Sequence, residues 1–259
     1  MLTQGQKSFF DTFGYLVLRE VFTKDEMGTI KRESEEIFQD GLGNRLDTGR
    51  IALQPFFERR PFLAGLVADD RIYSIGEDLL GSGFFLCGTE GNLHSGNTAW
   101  HGAGMWDESI KAVKIGLYTE SLTASAGSLR VVPGSHRRGS PDLFESLRHS
   151  TPKDLTTSYG VQQPDIPCTV LDTEPGDLVV FTENILHSAF GGHEGRHQHA
   201  VSFIENPDTP SKEKDLRDFY ASSKYSLRPS ESYVKSENSR IRSLVSKNLE
   251  LGFDVMEGV

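Results

Sequence analysis

Apolar positions along the chain change their period twice. Thr3 precedes a short segment that carries Phe9, Phe10 and Phe13 on one side, the pattern of a capped helix that Gly14 ends. Tyr15-Leu16-Val17-Leu18 then reads as a buried strand. Thr23 followed three residues later by Glu26 is a capping box, and it predicts a helix from Lys24 to about Gln39. Met27, Ile30, Ser34 and Ile37 form its inner face, and Lys31, Arg32, Glu33, Glu35 and Glu36 its solvated one. Residues 40–60 are rich in Gly and Arg and read as loop. A second helix is expected from Pro61 to Leu80, ended by Gly81.

From Phe84 to Phe203 the pattern becomes short apolar runs separated by turns. The clearest strands are Phe84-Phe85-Leu86, Ala112 to Tyr118, Ser128 to Val132, Cys168 to Leu171, Asp177 to Phe181 and Ala200 to Ile204. Ala126-Gly127, Pro133-Gly134, Pro175-Gly176 and Gly191-Gly192 punctuate them. A polar stretch between Arg137 and Gln163 suits a helical insert or a lid, and after Pro207 the chain turns charged and helical. The pattern predicts one domain, mainly β with flanking helices: a helical flank over 1–82, a β core over 83–206 and a helical flank over 207–259.

Composition narrows the function classes. The 259 residues carry 27 Lys+Arg against 37 Asp+Glu, a net charge of −10, which argues against a general nucleic-acid binder. Cys87 and Cys168 share no metal or disulfide spacing, which fits a reducing cytoplasm. The first residues have neither the basic nor the apolar region of a signal peptide, and no apolar run is long enough for a membrane span. A soluble, cytoplasmic protein acting on a small molecule is the expectation.

Two histidines stand out among eight. Trp100-His101-Gly102-Ala103-Gly104 and Leu186-His187-Ser188 lie 86 residues apart with most of the strand region between them, which suits two metal ligands on separate strands of a small barrel. Read singly, such a residue is more often an ordinary core or surface histidine.

Four ordered segments resemble the phytanoyl-CoA dioxygenase family. They are the opening Leu2 to Glu26, with its Gly14-Tyr-Leu-Val-Leu; Trp100-His101; Ala126-Gly127-Ser-Leu-Arg-Val-Val-Pro133-Gly134-Ser135-His136; and Pro175-Gly176-Asp177-Leu-Val-Val-Phe with the later His187. Together they run from residue 2 to about residue 206. The resemblance implies a double-stranded β-helix, a cupin-like jelly-roll, that binds Fe(II) through His101 and His187 and uses 2-oxoglutarate and O2. His136, within the Pro-Gly-Ser-His turn, reads as structural.

The chain departs from the family at one place. Where the family has the Asp of His-x-Asp, this chain has Ala103, and a methyl group cannot ligate iron. Asp107 and Glu108 would have to fold back to replace it. The family's non-haem halogenases carry His-x-Ala or His-x-Gly here, with chloride in the vacated position beside Ala103. The resemblance therefore implies a halogenase that chlorinates an unactivated carbon through a ferryl species. A hydroxylase and an inactive binding module are the alternatives. The cosubstrate's distal carboxylate calls for an Arg fork. The family's usual position, eleven residues past the second His, is Gln198, whereas Arg196 lies two residues earlier on the same strand face. Arg196 is thus the expected anchor, Arg130 its reserve, and Thr98 a further hydroxyl donor. Substrate groups are less marked. Arg45, Arg50, Arg59 and Arg60, or Lys212, Lys214, Arg217, Lys224 and Arg228, would suit an anionic substrate, a nucleotide such as deoxyadenosine monophosphate among them, with no carrier protein.

Overall fold

A computed structural model describes residues 1–41, 44–45, 50–102, 110–137 and 160–259. Ala103, Asp107 and Glu108 lie outside the described residues, as does most of the expected insert or lid.

The two capped helices form where the sequence places them. In α1 (Gln4–Phe13), Thr3 accepts from the Gln6 amide and the Gln6 side chain returns the bond; Gly14 closes the helix in the left-handed region at φ 84°. In α2 (Lys24–Gln39), Thr23 and Glu26 make the same reciprocal pair. Between them runs β1 (Tyr15–Leu18). The expected helix over 61–80 is instead two, α3 (Pro61–Leu66) and α4 (Asp70–Leu80). The Asp69 side chain accepts from the Arg71 amide and caps a new helix, which breaks the periodic run.

The Gly- and Arg-rich stretch is not all loop. It contributes β2 (Asn44–Arg45) and β3 (Ile51–Leu53), and β3 pairs with β4 (Phe85–His94) to extend the large sheet. The remaining strands are β5 (Thr98–His101), β6 (Ala112–Leu117), β7 (Leu129–Val131), β8 (Thr169–Leu171), β9 (Leu178–Thr182), β10 (His187–Ala189) and β11 (Arg196–Ile204). They make an antiparallel large sheet ordered β1-β9-β6-β11-β4-β3-β2 and a small one ordered β5-β10-β7-β8. This is the jelly-roll architecture, with helices flanking it.

Strand alternation assigns two faces to the large sheet. On the outer face Val113, Ile115, Leu117, Leu178, Val180, Val201 and Phe203 pack with Met27, Ile30, Ile37, Leu63, Ile72 and Ile75 from α2, α3 and α4 in one core. His197 and His199 share that face, His199 stacked on Phe56. On the inner face Tyr118, Val179 and Phe181 pack with Leu129, Val131 and Leu171 of the small sheet. Helices α5 (Pro210–Ser222), α6 (Glu231–Val234) and α7 (Ser239–Glu250) confirm the charged helical tail, and Leu216, Leu227, Leu251 and Phe253 cover Phe85, Cys87, Ala112 and Ile204. Among the described residues, no helix is long and apolar enough to cross a membrane.

Candidate active site

β5 and β10 are antiparallel neighbours, and their register sets His101 directly opposite His187. The two rings lie 4.0 Å apart between centroids. Each ring is fixed by its own chain: His101 Nδ1 bonds the Ala99 carbonyl at 2.8 Å, and His187 Nδ1 bonds the Ile185 carbonyl at 2.8 Å. A carbonyl only accepts, so both Nδ1 atoms carry hydrogen and both Nε2 atoms keep a free lone pair. That is the donor set a borderline transition metal requires, with the two carbonyls already orienting the rings. Burial holds both imidazoles below their ordinary pKa, and for His187 the neighbouring His101 adds to it. They stay neutral and able to ligate. Gly102 lets the strands close this tightly: at φ +91° it sits where a Cβ would stand 2.3 Å from the Ile185 carbonyl oxygen and 2.9 Å from His187 Nδ1.

Both histidines line a cavity of about 220 Å³ between the sheets. Arg196 stands in it, buried to 2% exposure. Its Nη1 donates to the Gly127 carbonyl, while its Nε is buried with no partner among the described residues. An orphaned buried guanidinium N–H costs free energy unless a ligand accepts from it, and a carboxylate does so best. The residues present therefore fit an acidic cosubstrate, whose carboxylate Arg196 would hold. Arg130, the reserve, is committed elsewhere: its two Nη atoms donate to the Pro164 and Ala124 carbonyls at 3.1 and 2.9 Å. Thr98 lines the cavity too, but its hydroxyl faces His94 Nδ1 at 3.4 Å. His136 packs against Gly14, away from the site.

The register orders the inner face of the large sheet into rows. Arg196 pairs with His94 in the first, Gln198 with Asn92 in the second, and Ala200 with Glu90 and Gly116 in the third. Ser202 with Lys114, and Lys114 with Phe181, make the fourth. The Phe181 ring lies 5.1 Å from that of His187, so the histidine pair faces the Lys114 end and Arg196 the other.

At the Lys114 end a buried ionic group was not foreseen. Lys114 Nζ lies 3.2 Å from Glu90 and 3.7 Å from Glu183. Burial pulls the ammonium down, but the two carboxylates outweigh it and hold it above its ordinary range. Glu90 is correspondingly held below its own, against burial, by Lys114. Ser202 donates to Glu183 at 2.6 Å, and Gln54 to Glu90 at 2.9 Å. Glu90 and Lys114 also line a second cavity of about 220 Å³, closed by Glu58, Phe219, Tyr225, Ser226 and Met256. Two chambers thus share one charged wall.

Of the basic residues expected to meet a substrate, Arg50 lines the histidine cavity. Arg59 and Arg60 are engaged, Arg59 with the Pro55 carbonyl and Arg60 with Glu36 and Asp40. Lys212 pairs with Glu205 and Asp208, and Lys214 with Asp218. Arg217 donates to the Leu251 carbonyl. Arg228 lines the second chamber and bonds Asp254. The residues missed, Glu90, Asn92 and His94, had a faint signal: polar side chains at every second position of one strand.

The sequence profile of the phytanoyl-CoA dioxygenase (PhyH) family matches residues 10–197. The chain belongs to that family. It is a family of Fe(II)- and 2-oxoglutarate-dependent oxygenases, and His101, His187 and Arg196 all lie within the matched residues. The ectoine dioxygenase of Sphingopyxis alaskensis is 26% identical over 226 residues, 73% of this chain and 71% of that protein. The ectoine dioxygenase of Nocardia farcinica is 26% identical over 222 residues, 71% of each chain. Among solved structures, HygX from Streptomyces hygroscopicus with nickel and 2-oxoglutarate bound superposes with a TM-score of 0.64 at 20% identity, over 82% of this chain and 94% of its own. EctD from S. alaskensis with 2-oxoglutarate and 5-hydroxyectoine gives 0.59 at 20%, over 79% and 76%. At that identity the two share the fold with this chain.

Proposed function

We propose that the protein halogenates an unactivated carbon of a free small molecule, with Fe(II), 2-oxoglutarate, O2 and chloride. The observation that carries this reading is the pair of fixed imidazoles followed by alanine at position 103, where the family has its carboxylate ligand. Among the described residues no group of three His, Cys, Asp or Glu side chains can hold a metal, so His101 and His187 stand alone there. Bound iron with 2-oxoglutarate supplies an oxidant able to take a hydrogen atom from such a carbon. The chain supplies position. His101 and His187 hold the metal, Arg196 draws the cosubstrate toward one end of the cavity, and the other end is left for substrate. That end borders the second chamber, with Glu90 and Lys114 between the two. Phe181 and Leu129 are apolar members of the wall around the histidines, and they limit water near the reacting carbon.

A second reading, hydroxylation of a small metabolite, is favoured by the relatives named ectoine dioxygenase. Turnover of a metabolite mixture by the iron-loaded protein separates the two. Product masses that shift with chloride and again with bromide support halogenation. A product gaining one oxygen, at a rate indifferent to halide, supports the hydroxylase.

A further inference from the structure

Gln198 occupies the position, eleven residues past His187, where the family usually has the arginine, and it lies two residues from Arg196 on β11. Both line the histidine cavity, whereas His197 between them faces Phe38 on the other side of the sheet. Gln198 Oε1 lies 2.7 Å from His94 Nε2. Since Oε1 only accepts, Nε2 carries the imidazole hydrogen, and His94 Nδ1 is left to accept from the Thr98 hydroxyl at 3.4 Å. Burial pushes the His94 pKa down to about 4, so the ring is neutral and keeps this tautomer at pH 7. The relay Thr98–His94–Gln198 therefore fixes the carboxamide with its oxygen turned to His94. Its NH2 is left to face the cavity that already holds the unpartnered Nε of Arg196.

We propose that Gln198 and Arg196 form a two-part clamp on the distal carboxylate of 2-oxoglutarate, with His94 the positioning residue that sets the amide of Gln198. The inference rests on the reading of this cavity as the cosubstrate site. It gives Thr98 a different part from the direct donor expected from sequence: Thr98 acts through His94. Arg196 precedes Gln198 by two residues, about 7 Å of strand rise, so both side chains reach the cavity from neighbouring positions on one face.

The test is calorimetric titration of the full-length, Fe(II)-loaded protein under anaerobic conditions with two 2-oxo acids, 2-oxoglutarate and 2-oxobutanoate. The second lacks the distal carboxylate. Gln198→Leu is expected to weaken 2-oxoglutarate roughly 10–100-fold, the loss of a hydrogen bond to a charged group, and to leave 2-oxobutanoate unchanged. His94→Phe should match it for 2-oxoglutarate and add nothing in the double variant, while His94→Gln, which keeps a donor for Gln198, should recover most of the affinity. Equal weakening of both acids by Gln198→Leu, or weakening of neither, overturns the clamp. An unmutated protein that binds neither acid overturns instead the reading of the cavity on which the clamp rests. Binding of 2-oxoglutarate by His94→Gln as weak as by His94→Phe would refute the positioning role alone.

Discussion

His101 and His187 are register partners across β5 and β10, and each turns the same ring nitrogen back onto its own chain two residues earlier. The symmetry leaves the Nε2 lone pair of each ring free. Of the two metal ligands proposed above, neither is spare. His187→Ala should lower Fe(II) affinity by more than ~100-fold, beyond what losing an outer-shell partner costs. Iron content after anaerobic loading measures this, and one iron per chain retained by the variant would refute the assignment.

Gly127 makes a second demand on backbone space. At φ +86° it lies so close to Arg196 that a Cβ would stand 2.1 Å from Nη1. Gly127→Ala therefore strains the turn and displaces the guanidinium at once, at a cost of about 1–3 kcal/mol of stability. The expected result is a higher KM for 2-oxoglutarate with iron content unchanged. A variant with normal cosubstrate KM would show that Arg196 does not bind the cosubstrate in this pose.

How much of this was legible in the sequence depends on whether a local rule was in force. Thr3/Gln6 and Thr23/Glu26 satisfied local bonds, and both helices form as read. That His101 and His187 come together was legible through motif order and not through period. β4 was read only at its start, because Gly88 and Gly91 interrupt it, and the reason for Gly91 is remote: a Cβ there would meet the Phe56 ring at 2.3 Å. Lys114 sits alone among Ala112, Val113, Ile115 and Leu117, and nothing local reveals that Glu90 and Glu183, from another strand and from the turn after β9, neutralise it. Long-range charge pairing leaves no periodic trace.

Glu58 gives a pH dependence whose sign can be worked out. Burial raises its pKa from 4.5 to about 7, against the donated bond from Thr89. The folded state therefore holds this proton where the unfolded chain has lost it. Stability is full below pH 4.5 and falls as pH rises to about 7, by at most about 3 kcal/mol. Glu58→Gln should flatten that part of the profile, seen as a Tm that no longer declines between pH 5 and 7. A slope unchanged by the substitution would place the titration on another group.

The ionic wall between the chambers separates a structural role from a functional one. Lys114→Met leaves Glu90 and Glu183 buried without their ammonium, which should cost about 3–5 kcal/mol, the penalty of breaking a buried pair from one side. Lys114→Met with Glu90→Gln removes one charge of each sign and leaves Glu183 with its bond from Ser202, so part of that stability should return, because the amide still accepts from Gln54. Substrate turnover is a different matter. If the wall only holds β4 to β6, the double variant regains activity together with its melting temperature. If the wall orients substrate between the chambers, the melting temperature recovers and the substrate KM stays high, while 2-oxoglutarate affinity, set at the Arg196 end, remains normal. The second outcome is expected, because Glu90 and Lys114 line both cavities and Lys114 pairs in register with Phe181, the residue beside His187.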